Sequence, residues 1–98
     1  MRYLAETRLP PDQVLERAER AFGPHSPLGL TGSEGMPNRR AFLGGGGHIV
    51  VTTRREGDRT RITLETREYD REVQQFLEEL PGPPGWLDRL LSRLRRAT

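Results

Sequence analysis

The 98-residue chain predicts an α+β fold: an antiparallel sheet of about four strands, in the order β-α-β-β-β-α, with helices on one face and a short amphipathic helix at the C-terminus. Three observations carry this reading. The chain opens on a period-two alternation of apolar and polar residues. Two further alternating runs are joined by Glu56-Gly57-Asp58, which is hairpin chemistry. Apolar stripes at helical spacing stand on either side of the strand series.

In the first strand Tyr3, Ala5, Thr7 and Leu9 fall on one side, and Arg2, Leu4, Glu6 and Arg8 on the other. Pro10-Pro11-Asp12 stops this ladder and starts a helix, because proline is tolerated in a first helical turn. Over Gln13–Phe22 the residues Val14, Leu15, Ala18, Ala21 and Phe22 make one apolar stripe, with Glu16 and Arg20 paired on the wet face. Gly23-Pro24 ends the helix. The next stretch is weakly marked. Leu28–Thr31 reads as a short strand, whereas Gly32, Ser33, Gly35 and Pro37 read as loop. Arg40–Leu43 is a short apolar run, followed by four glycines at 44–47 and a strand from His48 to Arg55.

If Gly57 and Asp58 form a two-residue turn, counting outward sets the register. Thr53, Val51 and Ile49 then face Ile62, Leu64 and Thr66. Arg54, Thr52 and Val50 face Arg61, Thr63 and Glu65 on the other side. One face is apolar and the other mostly polar, as in a sheet covered on one side only. The Arg54–Arg61 pair is unfavourable unless neighbouring acids or an anion offset it. Asp70 is the expected N-cap of a second helix whose stripe is Val73, Phe76, Leu77 and Leu80. Residues 1–80 thus read as one domain, 81–85 as a Pro/Gly break, and 86–98 as an amphipathic helix bearing Trp86, Leu87, Leu90, Leu91 and Leu94 among arginines. The expected core is Tyr3, Ala5, Val14, Ala18, Phe22, Ile49, Val51, Ile62, Leu64, Val73, Phe76, Leu77 and Leu80.

Composition restricts the function classes. The chain is 33% apolar and 31% charged, too short for a second domain and therefore limited to a small core. No apolar run approaches the ~18 residues of a membrane span, and the first six residues lack the apolar stretch of a secretory signal, so a cytoplasmic location is expected. Without cysteine there is no disulfide, thiol nucleophile or thiolate metal site. All sixteen basic residues are arginine, a bias expected from a GC-rich bacterial genome. The net charge of +2 is too small to argue nucleic-acid binding by itself.

No catalytic constellation emerges, and the chain is expected not to be an enzyme. The glycine run lies between strands with no helix after it, unlike a phosphate loop, and reads as a tight hairpin or bulge. His25 and His48 have no partner at a metal-ligand spacing, and Ser26, Ser33 and Ser92 lack the context of a nucleophile. No cofactor, metal or small-molecule substrate is therefore expected. What remains is surface. The polar sheet face carries Arg2, Glu6 and Arg8 from the first strand and Thr52, Arg54, Arg61, Thr63, Glu65 and Arg67 from the hairpin, but none of the aromatics on which sheet-face RNA readers stack bases. The candidate interaction residues are Arg54, Arg61 and Arg67 on this face and Trp86, Leu90 and Leu94 in the C-terminal stripe.

The opening strand, the Pro-Pro-Asp-Gln-Val entry and the amphipathic helix resemble the start of helix-grip (START-like) ligand-binding domains, which also end in antiparallel strands and a helix over the sheet. The resemblance covers Arg2 to Phe22 and the general strand–helix ending, in a chain shorter than that family's long strand series. It implies a small apolar ligand held between sheet and helix. The leading expectation from the residues is a non-enzymatic binding or accessory domain that self-associates as a homodimer. The runners-up are weak nucleic-acid binding through the arginine-bearing sheet face and the apolar-ligand site of a helix-grip-like fold.

Overall fold

A computed structural model of the chain describes residues 1–82. The elements are β1 (Arg2–Thr7), α1 (Pro11–Phe22), β2 (Thr31–Met36), β3 (Arg39–Gly44), β4 (Gly47–Glu56), β5 (Arg59–Arg67) and α2 (Asp70–Glu78). They form one antiparallel sheet in the order β1-β5-β4-β3-β2. β2 to β5 follow each other as a meander, and β1 closes against the last of them. The α+β class and the antiparallel sheet agree with the sequence reading. The sheet has five strands rather than four, because Thr31–Met36 pairs with β3 instead of forming a loop. The proposed helix over 86–98, with Trp86, Leu90 and Leu94, lies outside the described residues.

The β4–β5 register is the one obtained by counting from the turn, with Thr53, Val51 and Ile49 opposite Ile62, Leu64 and Thr66. Gly57 takes φ +62°, the left-handed conformation that a two-residue hairpin needs at its first central position. The glycine run forms the neighbouring β3–β4 hairpin, in which Gly44 opposes Gly47 and the two central residues take φ +61° and +80°. Tyr69, just before α2, lies over this turn and donates its hydroxyl to the Gly44 carbonyl at 2.7 Å. A Cβ on Gly45 would overlap that hydroxyl, and one on Gly47 would meet the Arg67 carbonyl and the Tyr69 ring. Gly45 is thus required by the close approach of the Tyr69 hydroxyl, and Gly47 chiefly by the backbone at the end of β5.

Both helices lie on the same side of the sheet, α1 over β4 and β3 and α2 over β5. Between them and the sheet sit Tyr3, Val14, Phe22, Phe42, Ile49, Val51, Ile62, Leu64, Val73 and Leu77, none more than 2% exposed. Every residue of the expected core is buried, and Leu15, Leu30 and Phe42 join it. Phe22 meets Phe42 edge-on at 5.8 Å and Phe76 at 5.1 Å, so three aromatic rings span the gap from helix to helix to sheet.

Four buried threonines mark the ends of the same face. Each donates its hydroxyl to a backbone carbonyl: Thr7 to Pro81, Thr53 to Asn38 in the β2–β3 turn, Thr60 to Leu9 past the end of β1, and Thr66 to His48 near the start of β4. They are isosteric with valine but supply donors where the sheet ladder runs out, which is why they are tolerated inside.

Asp70 is not the N-cap of α2. Tyr69 occupies that position without a side-chain cap, and Asp70 is the first helical residue. Its carboxylate is instead committed to the Tyr3 hydroxyl, which donates to Oδ1 at 2.8 Å while accepting from Gln74 Nε2 at 3.2 Å. The chain enters α2 through Glu68 at φ +80°, a conformation unusual for a residue with a side chain. This sharp entry swings Asp70 over β1 and out of capping position.

The open sheet face as candidate functional site

With both helices on one side, no described residue outside the sheet covers the opposite face of the five strands. The pairing registers order it into rows. Arg39, Thr52, Thr63 and Leu4 form one row across β3, β4, β5 and β1. Ala41, Val50, Glu65 and Arg2 form the next, and Leu43, His48 and Arg67 the one beyond. Met36 on β2 faces Arg39 and extends the first row to the far edge. Leu4, Met36 and Leu43 are 50%, 55% and 54% exposed. Three of the four large apolar side chains most exposed among the described residues thus stand on this one face. A single exposed leucine needs no explanation, but three on an otherwise uncovered sheet mark a surface with something to cover.

Charge gathers at the hairpin end of the face. The directly opposed Arg54 and Arg61 are bridged by Glu56, and Glu6 links Arg61 to Arg59. Arg61 lies 3.4 Å from Glu56 and 3.8 Å from Glu6, Arg54 lies 3.9 Å from Glu56, and Arg59 reaches Glu6 at 3.3 Å. The neighbouring acids that the like-charge pair requires are therefore present. All these side chains are well exposed, so each contact contributes at most about 1 kcal/mol. Their effect is to neutralise the cluster rather than to hold the fold.

Of the sequence-predicted site residues, the structure brings Arg54 and Arg61 together but leaves Arg67 apart. Six residues separate Arg61 from Arg67 along β5, about 20 Å at strand rise. Arg67 stands instead beside His48. The three arginines do not form one continuous basic strip. Between them lies a neutral zone that the sequence reading placed on this face in part, through Thr52, Thr63 and Val50, but did not group as a site: Thr52 and Thr63 in one row, Val50 and Ala41 in the next, flanked by Leu4, Met36 and Leu43. The signal was available, because the same counting that places Val51 inside places Val50 and Thr52 outside.

Other chemistry has little to build on. No group of three or more His, Asp or Glu side chains among the described residues is placed to hold a metal ion. The interface between sheet and helices is filled by the three phenylalanines and their aliphatic neighbours. No helix of the described residues is long and apolar enough to cross a membrane. No protein-family model matches the chain, and neither a curated protein nor a solved structure is found to be similar to it.

Proposed function

We propose that the protein is a non-enzymatic binding or accessory domain that works as a homodimer, joined through its open sheet face. The observation that carries this reading is the convergence of Leu4, Met36 and Leu43 on the sheet face that is open among the described residues, around a neutral centre. Face-to-face sheets pack about 10 Å apart with strands roughly aligned, and a homodimer requires the same patch on both subunits. A two-fold axis along β4, the central strand, meets that requirement. It lays β1 of one protomer over β2 of its partner, so that Leu4 meets Met36 twice. It also sets Val50, Thr52 and Arg54 against their own copies, the Arg54 pair being offset by Glu56 beside each guanidinium.

The β2 edge is a poorer candidate. β2 carries a bulge between Glu34 and Met36, which interrupts the row of backbone groups that a new strand would pair with. Five strands at ~4.8 Å spacing and about six residues of shared length give a footprint of roughly 500 Å² per protomer, at the low end of specific interfaces. Association in the micromolar range is expected.

Sedimentation equilibrium across low to high micromolar concentrations tests the reading. The wild-type chain is expected to reach a dimer, and Thr52→Glu, which sets two like charges face to face at the axis, is expected to stay monomeric with its fold intact. A wild-type chain that remains a monomer throughout refutes the proposal. So does a dimer that Thr52→Glu leaves unchanged, which would point to an edge or helix-side contact.

A further inference from the structure

The helix side of the molecule carries a second feature, independent of the sheet face. Between α1 and the end of α2 lies a cleft of about 390 Å³ lined by Arg17, Arg20, Ala21, Phe76, Glu79 and Leu80. Its floor is apolar: Phe76 and Leu80 belong to the core, and Ala21 packs against it. Its rim is charged. The volume sits near the lower end of the ~300–1,000 Å³ typical of sites that enclose a small molecule, enough for one or two large side chains.

We infer that this cleft is the seat of the chain's own C-terminal segment, with the Trp86 indole in the apolar floor. Three observations converge on that occupant. The first is position. Leu80 lines the cleft, and the next residue is tied down, its Pro81 carbonyl accepting from the Arg8 amide and the Thr7 hydroxyl. The last described residues, Pro81 and Gly82, therefore stand at the edge of the cleft. Trp86 is four residues beyond Gly82, within roughly 13 Å of it at full extension. Pro83, Pro84 and Gly85 in between suit a short reversal of direction.

The second is charge. The two helices and Glu79 carry seven acidic residues against three arginines, whereas residues 83–98 carry four arginines and one aspartate. The segment complements the helix layer as a whole and not the arginine-bearing sheet face, while at the cleft itself Arg17 and Arg20 favour the uncharged indole over a guanidinium. The third is chemistry. An indole offers an apolar body and one N–H donor, and the cleft offers an apolar floor with the Glu79 carboxylate at its rim. Arg17 and Arg20 stand where a guanidinium can lie against the ring.

Trp86 is the only tryptophan, so its emission reports its surroundings directly in the full-length protein. Docking predicts emission shifted to the blue, shielded from a soluble quencher, and unchanged on dilution. It also predicts nuclear Overhauser contacts from the indole to Phe76, Ala21 and Leu80. Ala21→Leu, which fills the cleft with a helix-compatible side chain, is expected to move the emission toward that of indole in water while far-UV circular dichroism stays unchanged. Water-like emission in the wild-type chain overturns the inference, as do indole contacts to Leu4 or Val50. Contacts that arise only between differently labelled copies also overturn it. Should Ala21→Leu not fold, the contacts measured on the wild-type chain decide the matter. Failure here leaves the sheet-face dimer untouched, since that is read by sedimentation of Thr52→Glu.

Discussion

The clasp between Tyr69 and the glycine hairpin makes a quantitative demand that Gly45→Ala tests. At φ +61° an L-residue in the left-handed region costs about 1–2 kcal/mol relative to glycine. The new methyl would also displace the Tyr69 hydroxyl and break its 2.7 Å bond to the Gly44 carbonyl, a further loss of about 1 kcal/mol. The expected total is therefore roughly 2–3 kcal/mol. Gly46→Ala is the internal control. It sits at φ +80° in the same turn with nothing near its Cβ direction, so it should cost only the conformational part, about 1–2 kcal/mol. Tyr69→Phe completes a double-mutant cycle, because the ring carbon beneath the hydroxyl is 3.7 Å from the Gly45 Cβ direction and does not clash. In the Tyr69→Phe background, Gly45→Ala should fall to the cost of Gly46→Ala, giving a coupling of about 1 kcal/mol. Urea denaturation read at constant slope measures each of these proteins. Equal losses at the two glycines, or a coupling near zero, would refute the close approach as the reason for the glycine run.

Three further outcomes follow from single residues. Glu68→Gly relieves the left-handed backbone at the entry to α2 and should raise stability by about 0.5–1 kcal/mol; a decrease would mean that the Glu68 side chain contributes a contact worth more than the strain. Phe42→Ala opens the space shared with Phe22 and should cost about 3–5 kcal/mol, and a loss below about 1 kcal/mol would show that the core does not extend to β3. Burial, reinforced by the hydrogen bond to Asp70, pushes the Tyr3 hydroxyl above its ordinary value near 10. The folded state thus keeps a proton that the unfolded chain releases, so this stabilisation is complete below pH 10 and fades as pH rises through the higher folded value. Wild type should lose stability relative to Tyr3→Phe as pH climbs above 10, and parallel profiles would contradict the burial of that hydroxyl.

Much of the fold could be read where two local signals agreed. Gly57-Asp58 fixed a turn, the alternation on either side fixed a register, and the two together placed six β4–β5 pairs and the covered face. The helices followed from apolar spacing and from the Pro11 and Gly23 boundaries. β2 escaped because Thr-Gly-Ser-Glu-Gly-Met has neither alternation nor more than one β-branched residue; it is a strand only through its pairing with β3. An edge strand answers to one neighbour, and that neighbour is invisible in a local window. Phe42 was missed for a related reason. Its run is too short to show a period, and its face becomes decidable only when Gly45-Gly46 is taken as the turn and Phe42 is counted onto Ile49. Asp70 reads as a cap locally but is claimed by Tyr3, 67 residues away in sequence, which no helix-capping rule contains.

The candidate site divides the same way. The outward positions of β4 and β5 were legible from the hairpin alone, including the opposed Arg54 and Arg61. The apolar residues that flank the neutral centre were not, because they come from Leu4 on one edge strand, Met36 on the other and Leu43 on β3. Those residues share a face only once β1 is known to pair with β5 and β2 with β3.

The central claim is that this face meets its own copy with β1 over β2. Isotope-filtered nuclear Overhauser spectroscopy on a mixture of labelled and unlabelled chains at high micromolar concentration reads it most directly. Contacts between the Leu4 methyls of one protomer and the Met36 methyl of its partner are the predicted result. Absence of any intermolecular contact on the sheet face, or contacts confined to α1 and α2, would contradict it.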